Sequence, residues 1–104
     1  MTERLFVYGT LCDPNVRMAV FQRSIGGTPD TLHGYRKTVI AFGAHNYPII
    51  QAAPGQHVDG LLLEVSADEL ARSDRYETHA YQRIQLTLAS GVTAWVYCDP
   101  GDQA

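Results

Sequence analysis

The side chain with the clearest chemical potential is Glu77, in the segment "RYETHAY", where it follows a helical pattern and lies between Tyr76 and Tyr81 with no lysine nearby. A carboxyl among aromatic rings is partly stripped of water, which raises its pKa toward the range useful for general acid–base work. The same position also suits a solvated glutamate at a helix end. Cys12, in "YGTLCDP", precedes a helix start, where a thiolate is favoured. A nucleophilic cysteine also needs a base. His33, His45, His57 and His79 are available, yet no spacing ties one of them to it, so a small half-buried residue is the competing reading. Asp74, Glu77 and His79 offer metal-ligand types, but their spacing matches no metal motif, and there is no Cys-x-x-Cys or His-x-x-x-His pair.

The stretch "LFVYGTLCDP" poses a different question. It lacks the second glycine and the lysine of a phosphate loop. A glycine directly after a buried strand and ahead of a helix N-terminus leaves backbone N–H groups free to point at an anion. An ordinary strand-to-helix turn has the same local sequence.

The elements that would hold these residues can be read from punctuation and period. Residues 4–8 are aromatic and β-branched and predict a strand. Asp13 is an N-cap with Pro14 at the first helical position, so a helix is expected over 14–22, with Val16, Ala19 and Val20 on one face. Gly26-Gly27 closes that unit. Strands are expected over 28–32 and 35–42, broken at Gly34. Another is expected over 47–51, confined to an edge or bulge by Pro48. A further strand over 58–65 has Leu61-Leu62-Leu63 buried on both faces. Ser66 and Glu69 form a capping box that opens a short, moderately amphipathic helix through "SADELARSDRYE". Two last strands, 81–89 and 92–98, are joined at Ser90-Gly91, with Ile84, Leu86 and Leu88 facing in and Gln85 and Thr87 facing out. Many strands with two short helices predict an α+β fold, and in so short a chain the strands would protect their edges by curling into a small barrel.

Composition narrows the rest. At 104 residues, 45% hydrophobic and 18% charged, the chain is expected to form one domain over 1–104. The net charge is −3 and the eight Lys and Arg are scattered, which argues against a nucleic-acid partner. No run is long enough to span a bilayer, and "MTERLFVYG" is not a secretory leader, so no membrane partner and a cytoplasmic location are expected. In that compartment the two cysteines, Cys12 and Cys98, are expected to be reduced thiols.

Four segments in order give the chain a resemblance to a known family. They are "LFVYGTL"; "HGYR" followed by "NYPII"; "VDGLLLEVSADEL"; and "LARSDRYETHAYQRIQLTL" ahead of "AWVYC". Over nearly its whole length the chain resembles the γ-glutamylcyclotransferase-like proteins, in the small AIG2-like branch that includes γ-glutamylamine cyclotransferases. The resemblance implies a small mixed β-barrel with flanking helices around one pocket. It implies that Tyr8, Gly9, Thr10 and Leu11 bind the γ-glutamyl part of a small-molecule substrate, that Glu77 is the catalytic acid-base, and that Tyr81 and Tyr97 are pocket aromatics. The implied reaction is attack by the substrate's α-amino group on its own γ-carbonyl, releasing 5-oxoproline and a free amine or amino acid. It needs no cofactor, no metal and no protein nucleophile. A non-catalytic module that binds a glutamyl or carboxylate ligand on the same fold is the alternative. The sequence departs from the family pattern at Ser73, where an apolar residue is usual, and "ETHAY" lacks the glycine that often follows the glutamate.

Overall fold

A computed structural model of the protein describes residues 2–42, 45–77 and 81–98. Five strands, β1 (Thr2–Val7), β2 (Thr28–Phe42), β3 (His45–Ser66), β4 (Gln82–Thr87) and β5 (Thr93–Cys98), form one mixed sheet in the order β2-β3-β1-β5-β4. Two helices, α1 (Pro14–Phe21) and α2 (Ala67–Glu77), accompany it, with a short 3-10 turn, Thr10–Cys12, between β1 and α1. Most pairings are antiparallel; β1 and β5 run parallel, with Leu5 opposite Trp95 and Phe6 opposite Val96. The sheet curls into a half-barrel in which the turn after β4 reaches the start of β2. Ala89 N–H donates to the Thr31 carbonyl at 2.8 Å, and Ser90 Oγ donates to Asp30 Oδ2 at 2.5 Å. The α+β class and curled sheet expected from the strand pattern are therefore present.

β1 is the hinge of the packing because both of its faces are covered. Leu5 and Val7 point to the helix side, where Leu11, Phe21, Ile25, Leu63, Val65, Leu70 and Tyr97 join them. Phe6 and Tyr8 point into the curl of the sheet with Leu32, Ile50, Val58, Leu88, Val96 and Cys98. Strand alternation alone produces this division, since successive side chains take opposite faces. The three leucines of β3 divide in the same way: Leu61 and Leu63 pack on the helix side, while Leu62 packs inside the curl.

Three expectations need correcting. The paired segments 28–32 and 35–42 are one strand, because Gly34 takes φ +86 and forms a bulge instead of a break. The register slips there, from His33 opposite His57 to Tyr35 opposite Ala52. Likewise 47–51 and 58–65 belong to the single strand β3. Since β1 pairs only with the Leu61 to Ser66 end of β3, Pro48 does lie where β3 has a single neighbour. On α1 the buried residues are Arg17 and Phe21; Val16 and Val20 pack beside them, but Ala19 is exposed.

The helix starts follow the local chemistry. Asp13 Oδ1 accepts from Asn15 N–H at 2.8 Å, Pro14 occupies the first turn, and Gln22 closes α1 in the left-handed region with φ 60. At α2, Ser66 N–H donates to Glu69 Oε1 at 2.8 Å and Glu69 N–H to Ser66 Oγ at 3.1 Å, a reciprocal capping box.

Candidate functional site

The end of β1, the 3-10 turn behind it and the last turn of α2 converge on one pocket. It is lined by Phe6, Val7, Tyr8, Gly9, Thr10, Leu11, Pro48, Glu77, Tyr81 and Tyr97. The residues that the family resemblance implied for catalysis and substrate binding all line this one pocket, although they come from positions up to 89 residues apart (Tyr8 and Tyr97).

The loop is built as a backbone surface. Cys12 N–H donates to the Gly9 carbonyl and Asp13 N–H to the Thr10 carbonyl, both at 3.0 Å. The N–H groups of Thr10 and Leu11, in the first turn, have no intrahelical acceptor, and both residues line the pocket. Gly9 has a spatial reason: a Cβ there would stand 3.1 Å from Pro48 Cγ, so the ring of β3 crosses where a side chain would be. Gly60 is confined against β1, since a Cβ would lie 2.2 Å from the Val7 carbonyl oxygen.

Three side chains hold the loop. Arg17, buried, donates through Nη1 to the Leu11 and Cys12 carbonyls at 3.1 and 2.8 Å and through Nε to the Ile25 carbonyl at 2.8 Å. Lys37 Nζ reaches the Tyr8 carbonyl at 3.3 Å. Thr10 Oγ1 and the Tyr76 hydroxyl lie 2.8 Å apart, joining the loop to α2 one residue before Glu77. Nothing in the local sequence marks the Arg17 role, because a charged residue reads as solvent-facing. Tyr76 and Pro48 were visible only as neighbours of more conspicuous positions.

Glu77 is half-buried, and burial pushes its carboxyl up to about 7. No cation lines the pocket, and no hydrogen bond reaches this carboxyl among the described residues. The three tyrosines present their rings to the pocket while their hydroxyls are engaged elsewhere. Tyr8 donates to the Tyr97 carbonyl, and its phenol is raised by burial, with further contributions from Tyr81 and Glu77. Tyr81 donates to the Pro48 carbonyl at 2.6 Å, and Tyr97 to Asp74 Oδ1 at 2.7 Å. Tyr81 and Tyr97 meet edge to face, with centroids 6.0 Å apart.

The remaining candidates fall outside this arrangement. Cys12 Sγ donates to the Val7 carbonyl at 3.4 Å, and burial raises its thiol above the usual range, which favours the neutral form. Among the described residues, neither Cys12 nor Cys98 is in a disulfide. His33 and His57 face each other across β2 and β3, with ring centroids 6.0 Å apart. The side chain of His45 and all of His79 lie outside the described residues. Asp74 is bound to Arg83 and Tyr97. Among the described residues, no helix is long and apolar enough to cross a membrane.

The fold has known counterparts. The family model described as gamma-glutamyl cyclotransferase, AIG2-like, matches residues 5–103. Protein AIG2 C of Arabidopsis thaliana is 30% identical over 88 residues, covering 84% of this chain and 52% of its own length. The chain thus spans about half the length of the curated relative it matches. A solution structure from Arabidopsis thaliana superposes with a TM-score of 0.85 at 24% identity, covering 100% of this chain and 66% of that one. A structure named gamma-glutamyl cyclotransferase superposes with a TM-score of 0.80 at 15% identity, covering 95% and 67%. The fold is shared with these structures, and by its match over nearly the whole sequence the chain belongs to the AIG2-like γ-glutamyl cyclotransferase family.

Proposed function

We propose that the protein is a cyclotransferase that cleaves a γ-glutamyl amide by intramolecular aminolysis, releasing 5-oxoproline and a free amine or amino acid. The observation that carries this reading is the meeting, in one pocket, of the backbone of Gly9, Thr10 and Leu11 with a half-buried Glu77 carboxyl whose pKa stands at about 7. Both the nucleophile and the electrophile belong to the substrate, so the protein's part is to orient them and move protons. Glu77, as carboxylate, takes a proton from the α-ammonium. The freed amine adds to the γ-carbonyl and closes a five-membered ring, and the tetrahedral oxyanion faces the free N–H groups of Thr10 and Leu11. Glu77, now protonated, returns the proton to the departing nitrogen as the C–N bond breaks, and the second proton of the ring nitrogen passes through the same carboxylate to the freed amine, which leaves as its ammonium.

A pKa near neutrality suits a group that must serve in both directions within one turnover. One well-aimed oxyanion donor contributes about 3–4 kcal/mol. The raised Cys12 thiol argues against the rival nucleophilic reading, because the neutral form is the weaker nucleophile.

The experiment is 5-oxoproline release from a panel of γ-glutamyl amides, comparing the wild type with Glu77→Gln. The expected outcome is turnover of at least one amide, falling roughly 100- to 10,000-fold in the variant. Equal rates in the two proteins overturn the assignment.

A further inference from the structure

Behind the pocket wall lies a run of polar contacts that the proposed reaction does not use directly. Ser73, fully buried, lies 2.6 Å from the Tyr97 hydroxyl and 2.7 Å from the Leu70 carbonyl. Tyr97 donates to Asp74 Oδ1 at 2.7 Å. Arg83 holds the same carboxylate with two bonds, Nε to Oδ1 at 2.8 Å and Nη2 to Oδ2 at 2.9 Å. Its guanidinium carbon stands 4.2 Å from the centroid of the Trp95 ring. Trp95 Nε1 in turn donates to Glu3 Oε1 at 3.0 Å. The run ties α2 to β5, β4 and β1.

Its protons can be assigned. The charged Asp74 is the stronger acceptor and takes the Tyr97 proton. Ser73 then supplies its single proton toward the Tyr97 oxygen and the Leu70 carbonyl. The Tyr97 hydroxyl is thus pinned from both sides by consecutive residues of one helix.

Ser73 and Asp74 lie four and three residues before Glu77, on the same helical face one turn away. Whatever holds those two residues sets the rotation of the last turn of α2 and the direction in which its glutamate projects. We infer that the Tyr97 hydroxyl, clamped between Ser73 and Asp74, is a positioning latch that holds Glu77 in the pocket. Tyr97 thereby has two separate parts: its ring is pocket wall, and its hydroxyl is the joint. The inference rests on the proposed role of Glu77 for its effect on turnover, but not for its effect on where the carboxyl sits. The other titratable residues lining the pocket are Tyr8, Tyr81 and Tyr97; on the helix of Glu77 itself, Arg75 lies two residues back and Asp74, bound to Arg83 of β4, one turn back.

Tyr97→Phe and Ser73→Ala break the latch from its two sides while leaving every charge and the pocket ring in place. The test follows the Glu77 carboxyl by carbon-13 NMR titration in the wild type and both variants, with steady-state kinetics in parallel. With the latch open, water reaches the carboxyl. Its pKa falls by a unit or more toward the ordinary glutamate value, and kcat drops by about tenfold with KM within twofold. A folded Tyr97→Phe whose Glu77 titrates as in the wild type overturns the inference. Should Tyr97→Phe fail to fold, the same titration of Ser73→Ala decides it. A shifted titration in a protein with no turnover on any γ-glutamyl amide supports the latch and overturns the enzymatic reading, so the two can fail separately.

Discussion

Arg17 Nη1 donates to the Leu11 carbonyl at 3.1 Å from a position that is only 6% exposed. A buried guanidinium is stabilising only where its donors are satisfied, and here the acceptors are carbonyls at the end of the 3-10 turn, where the peptide dipoles are negative. The cation and the loop therefore depend on each other. Arg17→Met keeps the apolar stem and leaves the Leu11, Cys12 and Ile25 carbonyls without their donor. The expected cost is about 2–3 kcal/mol in chemical denaturation. Arg17→Lys, with one compact charge in place of a planar fork, should fall between the two. A variant as stable as the wild type would remove Arg17 from this role.

Gly9→Ala tests the loop by crowding. The added methyl meets Pro48 Cγ at 3.1 Å, so either the ring of Pro48 or the turn must give by a few tenths of an ångström. The loop is the lighter partner, because Pro48 is paired to Val39 in the sheet and its carbonyl is held by Tyr81. Stability should fall by about 1 kcal/mol, near the low end of overpacking costs, whereas turnover should fall further because the N–H groups shift. A melting curve and a kcat/KM measurement separate the two effects. Activity that tracks stability alone would count against a binding role for this backbone.

The parts of this molecule that were legible in its sequence are those governed by neighbours a few residues apart. The Asp13-Pro14 start, the Ser66–Glu69 capping box and the Ser90-Gly91 turn are local bargains between side chain and backbone, and each is present. Family resemblance brought Gly9, Glu77, Tyr81 and Tyr97 together although no local rule could. What stayed hidden was set by distant partners. Gly34 reads as a break until β3 pairs across it and turns it into a bulge. Arg17 reads as solvent-facing until the carbonyls of Leu11, Cys12 and Ile25 surround it. Ser73 reads as a departure from an apolar pattern until the Tyr97 hydroxyl gives it a partner.

Glu77 should make the fold less stable as pH rises. Below about pH 4.5 its carboxyl is neutral in the folded and unfolded chains alike, and burial costs nothing. Between there and about pH 7 only the unfolded chain ionises, so stability is progressively lost, and above it the full penalty applies. Glu77→Gln, neutral throughout, should match the wild type at low pH and exceed it at pH 8. The gain is on the order of 2 kcal/mol after allowance for partial exposure. Thermal melts across that range supply the test, and a gap independent of pH would contradict a buried, perturbed carboxyl.

The same ionisation should govern turnover. Under the proposed mechanism the free enzyme must present Glu77 as carboxylate, so kcat/KM rises with pH through an apparent pKa of about 7 and then levels. The measurement is a pH–rate profile on whichever γ-glutamyl amide the panel identifies. An ascending limb near the ordinary glutamate range would mean that the carboxyl is solvated when it acts.

Glu69 shows the opposite sign. Arg23 approaches it with two bonds, Nε to Oε2 at 2.5 Å and Nη2 to Oε1 at 2.9 Å, while the Ser66 N–H donates to Oε1 at 2.8 Å. Bonding to Arg23 first, and the Ser66 N–H next, pulls its carboxyl down to about 2. A depressed folded-state pKa contributes stability that is complete above the ordinary glutamate value and is lost as pH falls toward the folded one. Glu69→Gln retains an acceptor for the Ser66 N–H and gives up the charge. At pH 7 it should therefore melt below the wild type, and the gap should narrow steadily from roughly pH 5 to pH 3 as the unfolded glutamate takes up its proton. Because the Arg23 side chain is 51% exposed, added salt should shrink the gap at pH 7 as well. A gap that persists unchanged at low pH would assign the loss to the helix cap instead of the ion pair.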